Sequence, residues 1–194
     1  MLRIAREGDL ARMLAIYAPY VENTTWSFEY GVPTREAFLA RFREITRQFP
    51  WLVWEAEGEI LGYAYGSAPF GSREAYAWCA EASIYIHPDA RGRGLGRRLY
   101  TALETLLTMQ GYQILYALIT SENEDSLAFH RRVGYRERVL FPRCGYKHGR
   151  WLGVWWYEKG LNFVESPSAA PASWMSISKN TQNIDDILYN LSIS

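Results

Sequence analysis

The stretch Glu81-Ala82-Ser83-Ile84-Tyr85-Ile86-His87-Pro88-Asp89-Ala90-Arg91-Gly92-Arg93-Gly94-Leu95-Gly96-Arg97 decides the fold. Its first six residues read as a strand, and His87-Pro88-Asp89 ends it because proline carries no N–H for a ladder. The glycine-rich run Arg91 to Gly96 then opens a helix. The first N–H groups of a helix lack intrahelical partners, glycines leave them unobstructed, and the helix dipole favours negative charge there. The arginines place full charges at the same point, as a pyrophosphate ligand requires. A glycine-rich turn before a helix also serves as a plain tight connection, so the loop by itself leaves both readings open. Other phosphate motifs fit worse. The Gly-Lys-Ser/Thr ending of a nucleotide-triphosphatase loop is absent, and a dinucleotide-binding loop follows the first strand of a parallel unit, whereas this one lies mid-chain after a hairpin.

Downstream, Leu99, Tyr100, Leu103, Leu106 and Leu107 recur at helical spacing until Gly111. A strand over Ile114 to Ile119, a helix over Ser126 to Val133 ended by Gly134, and an aromatic strand over Gly153 to Lys159 follow. Upstream, Trp51 to Glu55 and Ile60 to Tyr65 form a hairpin through Glu57-Gly58-Glu59. Thr34 caps a helix carrying Phe38, Leu39 and Phe42 on one face. A short strand over Arg3 to Arg6 precedes a helix with Asp9 as its cap and Pro19 near its end. These elements make an α/β or α+β domain with a central mixed sheet. After about residue 163 the composition changes: Glu165 to Ser173 is rich in Ser, Pro and Ala and reads as a linker. The domain is therefore expected over 1–163, with 164–194 as a flexible tail in which Ile184, Ile187, Leu188 and Leu191 offer at most a short amphipathic turn.

With 194 residues, 48% of them hydrophobic, one domain with a sizeable core is expected. Lys+Arg and Asp+Glu balance at 21 each, so no general basic field exists to attract nucleic acid or an anionic membrane, and any polyanion site is local. Two cysteines, Cys79 and Cys144, show no metal-type spacing and suit a reducing compartment; both are expected free, and no metal site is read. No signal-peptide pattern or long apolar run occurs, which reads as a soluble cytoplasmic protein.

The strand Glu81 to Ile86 with His87-Pro88-Asp89-Ala90 and the R-x-x-G-x-G spacing of Arg91 to Gly96 resembles the acetyl-CoA site of the GNAT acetyltransferases. Asn123 to Tyr135 is similar to that family's later helix. Phe141-Pro142-Arg143-Cys144-Gly145-Tyr146-Lys147-His148-Gly149-Arg150-Trp151, Ile16-Tyr17-Ala18-Pro19-Tyr20-Val21, Asn23-Thr24-Thr25 and Phe28-Glu29 resemble its phosphinothricin acetyltransferase branch. The likeness spans roughly residues 2 to 161 and implies a mostly antiparallel sheet flanked by helices. It implies that Ile84, Tyr85 and Ile86 offer backbone groups to the pantetheine arm and an N–H to the thioester oxygen. By the same likeness Arg91, Gly92, Arg93, Gly94, Leu95, Gly96 and Arg97 hold the pyrophosphate, and Asn123 and Ser126 bond the pantetheine. Capping of the later helix is an equally sensible role for those last two.

Amine acetylation needs an acceptor for the amine's proton, an oxyanion donor and a proton for the leaving thiolate. The resemblance places Glu81 as general base, and partial burial would raise its pKa usefully; the plainer reading is a surface or ion-paired glutamate. His130 stands where the wider superfamily often has an acidic tyrosine and the phosphinothricin-like branch has histidine, so it serves as acid, sulfur contact or packing group. The loop Phe70-Gly71-Ser72-Arg73 lies where the branch positions its substrate, with Arg73 suited to a carboxylate while Glu81 faces the amine. The branch implies phosphinothricin, methionine sulfoximine or a related amino acid as acceptor, and a homodimer in which residues like Arg143 to Trp151 reach the partner. Ala80 and Gly153 depart from it, standing where a valine and an acidic residue are usual. Competing readings are a protein or peptide N-acetyltransferase, which needs an open groove, and a non-catalytic acetyl-CoA sensor. Nucleic-acid binding is disfavoured because the arginines cluster at one loop.

Overall fold

Side chains of a strand alternate between faces, and in the central strand of this protein the alternation separates two cores. The computed structural model describes residues 1–71, 73–180 and 184–193. Ala80 and Ala82 of the strand Cys79–Ile86 enter one core with Leu99, Leu103, Leu106 and Leu107 of the helix Leu95–Gln110. Tyr85, on the opposite face, packs against a second core of Met13, Ile16, Tyr17, Phe38, Phe42, Trp51 and Tyr63.

In chain order the strands are β1 (Leu2–Ile4), β2 (Trp51–Ala56), β3 (Glu59–Ser67), β4 (Cys79–Ile86), β5 (Ile114–Thr120), β6 (Arg136–Lys147) and β7 (Arg150–Gly160). The helices are α1 (Leu10–Asn23), α2 (Arg35–Gln48), α3 (Leu95–Gln110), α4 (Glu124–Arg132), α5 (Trp174–Asn180) and α6 (Ile184–Ile193). One seven-stranded sheet runs β1-β2-β3-β4-β5-β7-β6. Among the described residues only the β4–β5 pair is parallel, so the sheet is mixed and mostly antiparallel, as expected. Helices α1 and α2 cover one face; α3, α4 and α6 contribute to the core on the other.

Thr34 caps α2 as read, its hydroxyl accepting from the Ala37 N–H at 3.2 Å. Asp9 does not cap α1: its carboxylate accepts from the Arg6 N–H at 2.7 Å and from the Arg3 guanidinium, closing the preceding turn instead. Pro19 lies inside α1, which continues to Asn23. Strand β6 has no counterpart in the sequence reading. It is the edge strand, exposed over nearly its whole length and interrupted by register shifts around Val139 and between Phe141 and Gly145, so no inward-facing alternation marks it.

After residue 163, where a flexible tail is expected, residues 164–170 are exposed but the described residues of α5 and α6 pack on the domain. Trp174, Ile184 and Leu188 are buried in the core beside α3. The Leu2 N–H, which faces outward from edge strand β1, donates to Ser192 Oγ at 2.8 Å, and Arg98 donates to the Ser192 carbonyl at 3.0 Å. The buried Gln110 amide bridges the Gln48 and Ala172 carbonyls at 2.7 and 2.8 Å. Helices of 7 and 10 residues are marginal alone; packing of α5 on α2 and of α6 on β1 and α3 holds them here, which a local reading of a Ser/Pro/Ala-rich stretch misses.

Truncating Leu188 to Ala should lower unfolding stability by about 2–5 kcal/mol, the usual range for a buried leucine. Urea denaturation measures it, and an unchanged midpoint would mean that α6 does not belong to the core.

Candidate active site

Strands β4 and β5 are in register only at Cys79↔Ile114, Ala80↔Leu115 and Glu81↔Tyr116. Beyond Glu81 they part, while β4 runs on to Ile86 and β5 to Thr120. The parting turns backbone groups of β4 into a gap. The His87 N–H donates to Leu61 of β3 at 2.8 Å, so in this antiparallel pair the odd-numbered residues face β3 and Ala82, Ile84 and Ile86 face the gap. This parity corrects two expectations. Tyr85 directs its backbone to β3, opposite Tyr63, and its ring packs among Tyr17, Tyr20 and Tyr63. Ile86 faces the gap but is already engaged: the Tyr20 hydroxyl donates to its carbonyl at 2.6 Å and accepts from its N–H at 3.1 Å. Ile84 lies between and presents its N–H and carbonyl to the opening.

The gap continues into a cleft of about 620 Å³ lined by Ile84, Ile86, Arg91, Gly92, Gly94, Leu95, Gly96, Arg97, Asn123 and Ser126. The structure thus gathers most of the residues assigned to the cofactor; Arg93, though in the same loop, does not line the cleft. Gly94 sits at the N-cap of α3 with φ 78°, a left-handed conformation that glycine adopts without strain, and no side chain caps the helix. The first turn of α3 carries no acidic residue, so its N–H groups are left to an incoming anion. At Gly96 a side chain would begin 3.2 Å from the Phe129 ring, so glycine lets α3 and α4 close on the cleft floor. Asn123 Oδ1 caps α4, accepting from the Ser126 N–H at 3.1 Å, so these residues line the cleft while serving the helix.

A smaller cavity of about 80 Å³ adjoins it and is lined by Glu81, Ile84, Tyr20, Trp26, Tyr100 and His130. Burial pushes the Glu81 carboxyl up to about 7. The same cause acts oppositely on a base: burial pushes His130 down to about 4, so its imidazole is neutral near pH 7. The Ser126 carbonyl, 2.7 Å from Nδ1, can only accept, which assigns the proton to Nδ1 and leaves Nε2 to accept from the Tyr100 hydroxyl at 3.0 Å. His130 is therefore not an imidazolium acid. Tyr100 brings the hydroxyl proton to this cavity, with the Ala82 carbonyl 3.5 Å from the same oxygen. The periodic reading of α3 took Tyr100 as one more apolar-face residue, and nothing in its spacing distinguishes it.

On the acceptor side Phe70 stacks on Trp156, centroids 5.3 Å apart, and meets Tyr116, the Cα partner of Glu81, edge-on at 5.4 Å. Gly71 and Arg73 line a separate cavity of about 390 Å³ with Gln48, Phe49, Cys79 and Tyr112. Arg73 and Glu81 are thus not gathered into one cavity, and Ser72 lies outside the described residues. Tyr20 and Trp26 were not foreseen as site residues. They flank the Arg91 guanidinium, whose Cζ lies 5.1 and 5.3 Å from their rings.

The Acetyltransferase (GNAT) domain family matches residues 2–156. The chain belongs to the GNAT acetyltransferase family. It is 39% identical over 172 residues to an L-methionine sulfoximine/L-methionine sulfone acetyltransferase of Pseudomonas paraeruginosa, covering 85% of this chain and 96% of that one. A phosphinothricin N-acetyltransferase of Streptomyces viridochromogenes is 31% identical over 166 residues, covering 86% and 90%. Among solved structures, a GNAT superfamily phosphinothricin acetyltransferase of Sinorhizobium meliloti in complex with AcCoA superposes with a TM-score of 0.80 at 34% identity, covering 89% of this chain and 92% of that one.

Acetyl-CoA is the acetyl donor of this acetyltransferase, and the residues present fit it: an uncapped helix N-terminus beside arginines for the pyrophosphate, and the exposed backbone of Ile84 for the arm. Of the two departures from the branch, Ala80 is fully buried under α3, and a side chain at Gly153 would begin 2.9 Å from Ser121 Oγ. Among the described residues no group of three or more His, Cys, Asp or Glu is placed to hold a metal ion, and no helix is long and apolar enough to cross a membrane.

Because a carboxylate accepts protons only when ionised, turnover should rise with pH through about 7 as Glu81 loses its proton. Glu81→Gln should lower kcat by about 10²–10⁴-fold and abolish that limb of the profile. A Gln variant with wild-type kcat would remove Glu81 from the chemistry.

Proposed function

We propose that this acetyltransferase acetylates the primary amine of a small amino-acid-like acceptor of the phosphinothricin, methionine sulfoximine or ordinary amino-acid class. The observation that carries the reading is the buried Glu81 carboxyl, its pKa pushed up to about 7, in a small cavity directly beside the backbone gap. A cavity of about 80 Å³ has room for an amine head group and little more. The acceptors named for the Streptomyces and Pseudomonas relatives belong to the same chemical class.

In this reading Glu81 takes the proton of the attacking amine and the Ile84 N–H stabilises the oxyanion. The departing thiolate takes up a proton from solvent, which balances the proton that Glu81 later releases, while Tyr100, its hydroxyl held by neutral His130, lines the cavity. For Arg73 to bind the acceptor's carboxylate, its side chain must swing from the separate cavity it lines toward Glu81 as the acceptor enters.

The protein acts as a homodimer through β6. That edge strand and the start of β7 expose Val139, Leu140, Phe141, Tyr146 and Trp151, an apolar set that an isolated sheet edge rarely leaves uncovered. Cys79 and Cys144, both unpaired, fit the reducing cytoplasm.

Thiol release from acetyl-CoA, measured with phosphinothricin, methionine sulfoximine, ordinary amino acids, polyamines and a peptide, should show turnover on the amino-acid class. Arg73→Met should raise KM by about tenfold or more for acceptors with a free carboxylate and leave their decarboxylated amines unaffected. Turnover on the peptide alone would replace the assignment. Light scattering should give twice the chain mass for the wild type and the chain mass for Phe141→Lys; a monomeric wild type would refute the dimer.

A further inference from the structure

The segment Arg143 to Trp151 has a role within its own chain that the expected dimer contact does not account for. Lys147, the last residue of β6, is 2% exposed. Among the described residues no carboxylate lies within ion-pair distance of it. Its Nζ donates instead to the Val21 and Ser27 carbonyls, both at 2.7 Å. A buried ammonium is costly unless its protons are hydrogen-bonded. Val21 lies in the last turn of α1, where carbonyls lack intrahelical partners and the dipole favours a cation. Lys147 thus bridges the two ends of the loop between Val21 and Ser27.

Other contacts join the same loop to the tip of the β6–β7 hairpin. Arg150 pairs through both nitrogens with Glu122, whose Oε2 accepts from the Thr25 hydroxyl at 3.2 Å. The Tyr30 hydroxyl donates to the Tyr146 carbonyl at 2.6 Å. At Gly145 any side chain would begin 2.5 Å from the Phe28 ring, so the hairpin lies directly on the loop. Within the bridged segment Thr25 and Ser27 are buried, and half-buried Trp26 is the residue turned toward the cavities. It lines both the large cofactor cleft and the Glu81 cavity, and its ring lies against Arg91.

We propose that Lys147 is a positioning residue for the transfer: by fixing Val21 and Ser27 it holds Trp26 as the shared wall of the donor and acceptor compartments. The proposal rests on the reading that the Glu81 cavity receives the acceptor amine. It predicts that the lysine acts on ground-state binding, because it touches neither the reacting atoms nor Glu81.

The test compares wild type with Lys147→Met, and with Leu188→Ala as a variant destabilised at a distance from the loop. Lys147→Met should raise the acceptor KM by about tenfold or more, with kcat within about threefold and the limb near pH 7 unmoved. Calorimetric titration with acetyl-CoA alone should show a Kd weakened by about threefold or more, since Trp26 no longer braces Arg91. Lys147→Gln, which keeps one donor, should show the same signature at smaller size and takes the place of Met if that variant does not fold. Unchanged KM and Kd would overturn the proposal, as would a loss confined to kcat or an equal KM rise in Leu188→Ala. A wild type inactive on every amino-acid acceptor would refute the substrate assignment, while the acetyl-CoA titration would still report on Lys147.

Discussion

The structure depends on the loss of pairing between β4 and β5 beyond Glu81↔Tyr116. Two parallel strands that stayed in register would satisfy each other's backbone groups and leave no room between them. Because they part, the N–H and carbonyl of Ile84 face an opening, and the carboxylate of Glu81 sits at its apex, where burial raises its pKa. The same parting lets α3 point its uncapped N-terminus along the opening from one side while α4 lines the other.

Burial supplies most of the site's chemistry, and its sign depends on the group. Burial disfavours the charged form of each: the Glu81 carboxyl's pKa rises to about 7, and the His130 imidazole loses its cationic form and becomes an acceptor. Net charge says nothing of this, because 21 basic and 21 acidic residues cancel over the chain. What matters is where they stand: arginines at an open helix N-terminus, and no cation contributing to the shift of Glu81.

Much of this was legible in the sequence because it is local. The phosphate loop, the α2 cap at Thr34 and the β2–β3 hairpin follow from residue types at fixed offsets. Elements whose order comes from distant partners were not legible. Edge strand β6 has little inward face to alternate, and α5 and α6 hold their shape through burial of Trp174, Ile184 and Leu188, α5 against α2 and α6 against β1 and α3. The roles of Tyr20, Tyr100 and Lys147 were hidden for the same reason: each acts through a contact with a residue 30 or more positions away.

By itself the sequence determined the family, the cofactor loop and the candidate base, because glycine spacing, a helix start and a glutamate on a strand are properties of short segments. The tertiary structure alone decided which backbone groups of β4 face the opening, since that parity is set by pairing with β3. It alone made His130 a neutral acceptor and Tyr100 its donor, since protonation depends on burial and on which atoms face each other across helices. It alone turned Lys147 from a surface-type residue into an internal bridge, because an ammonium is stable in the interior only where separate parts of the chain bring carbonyls to it.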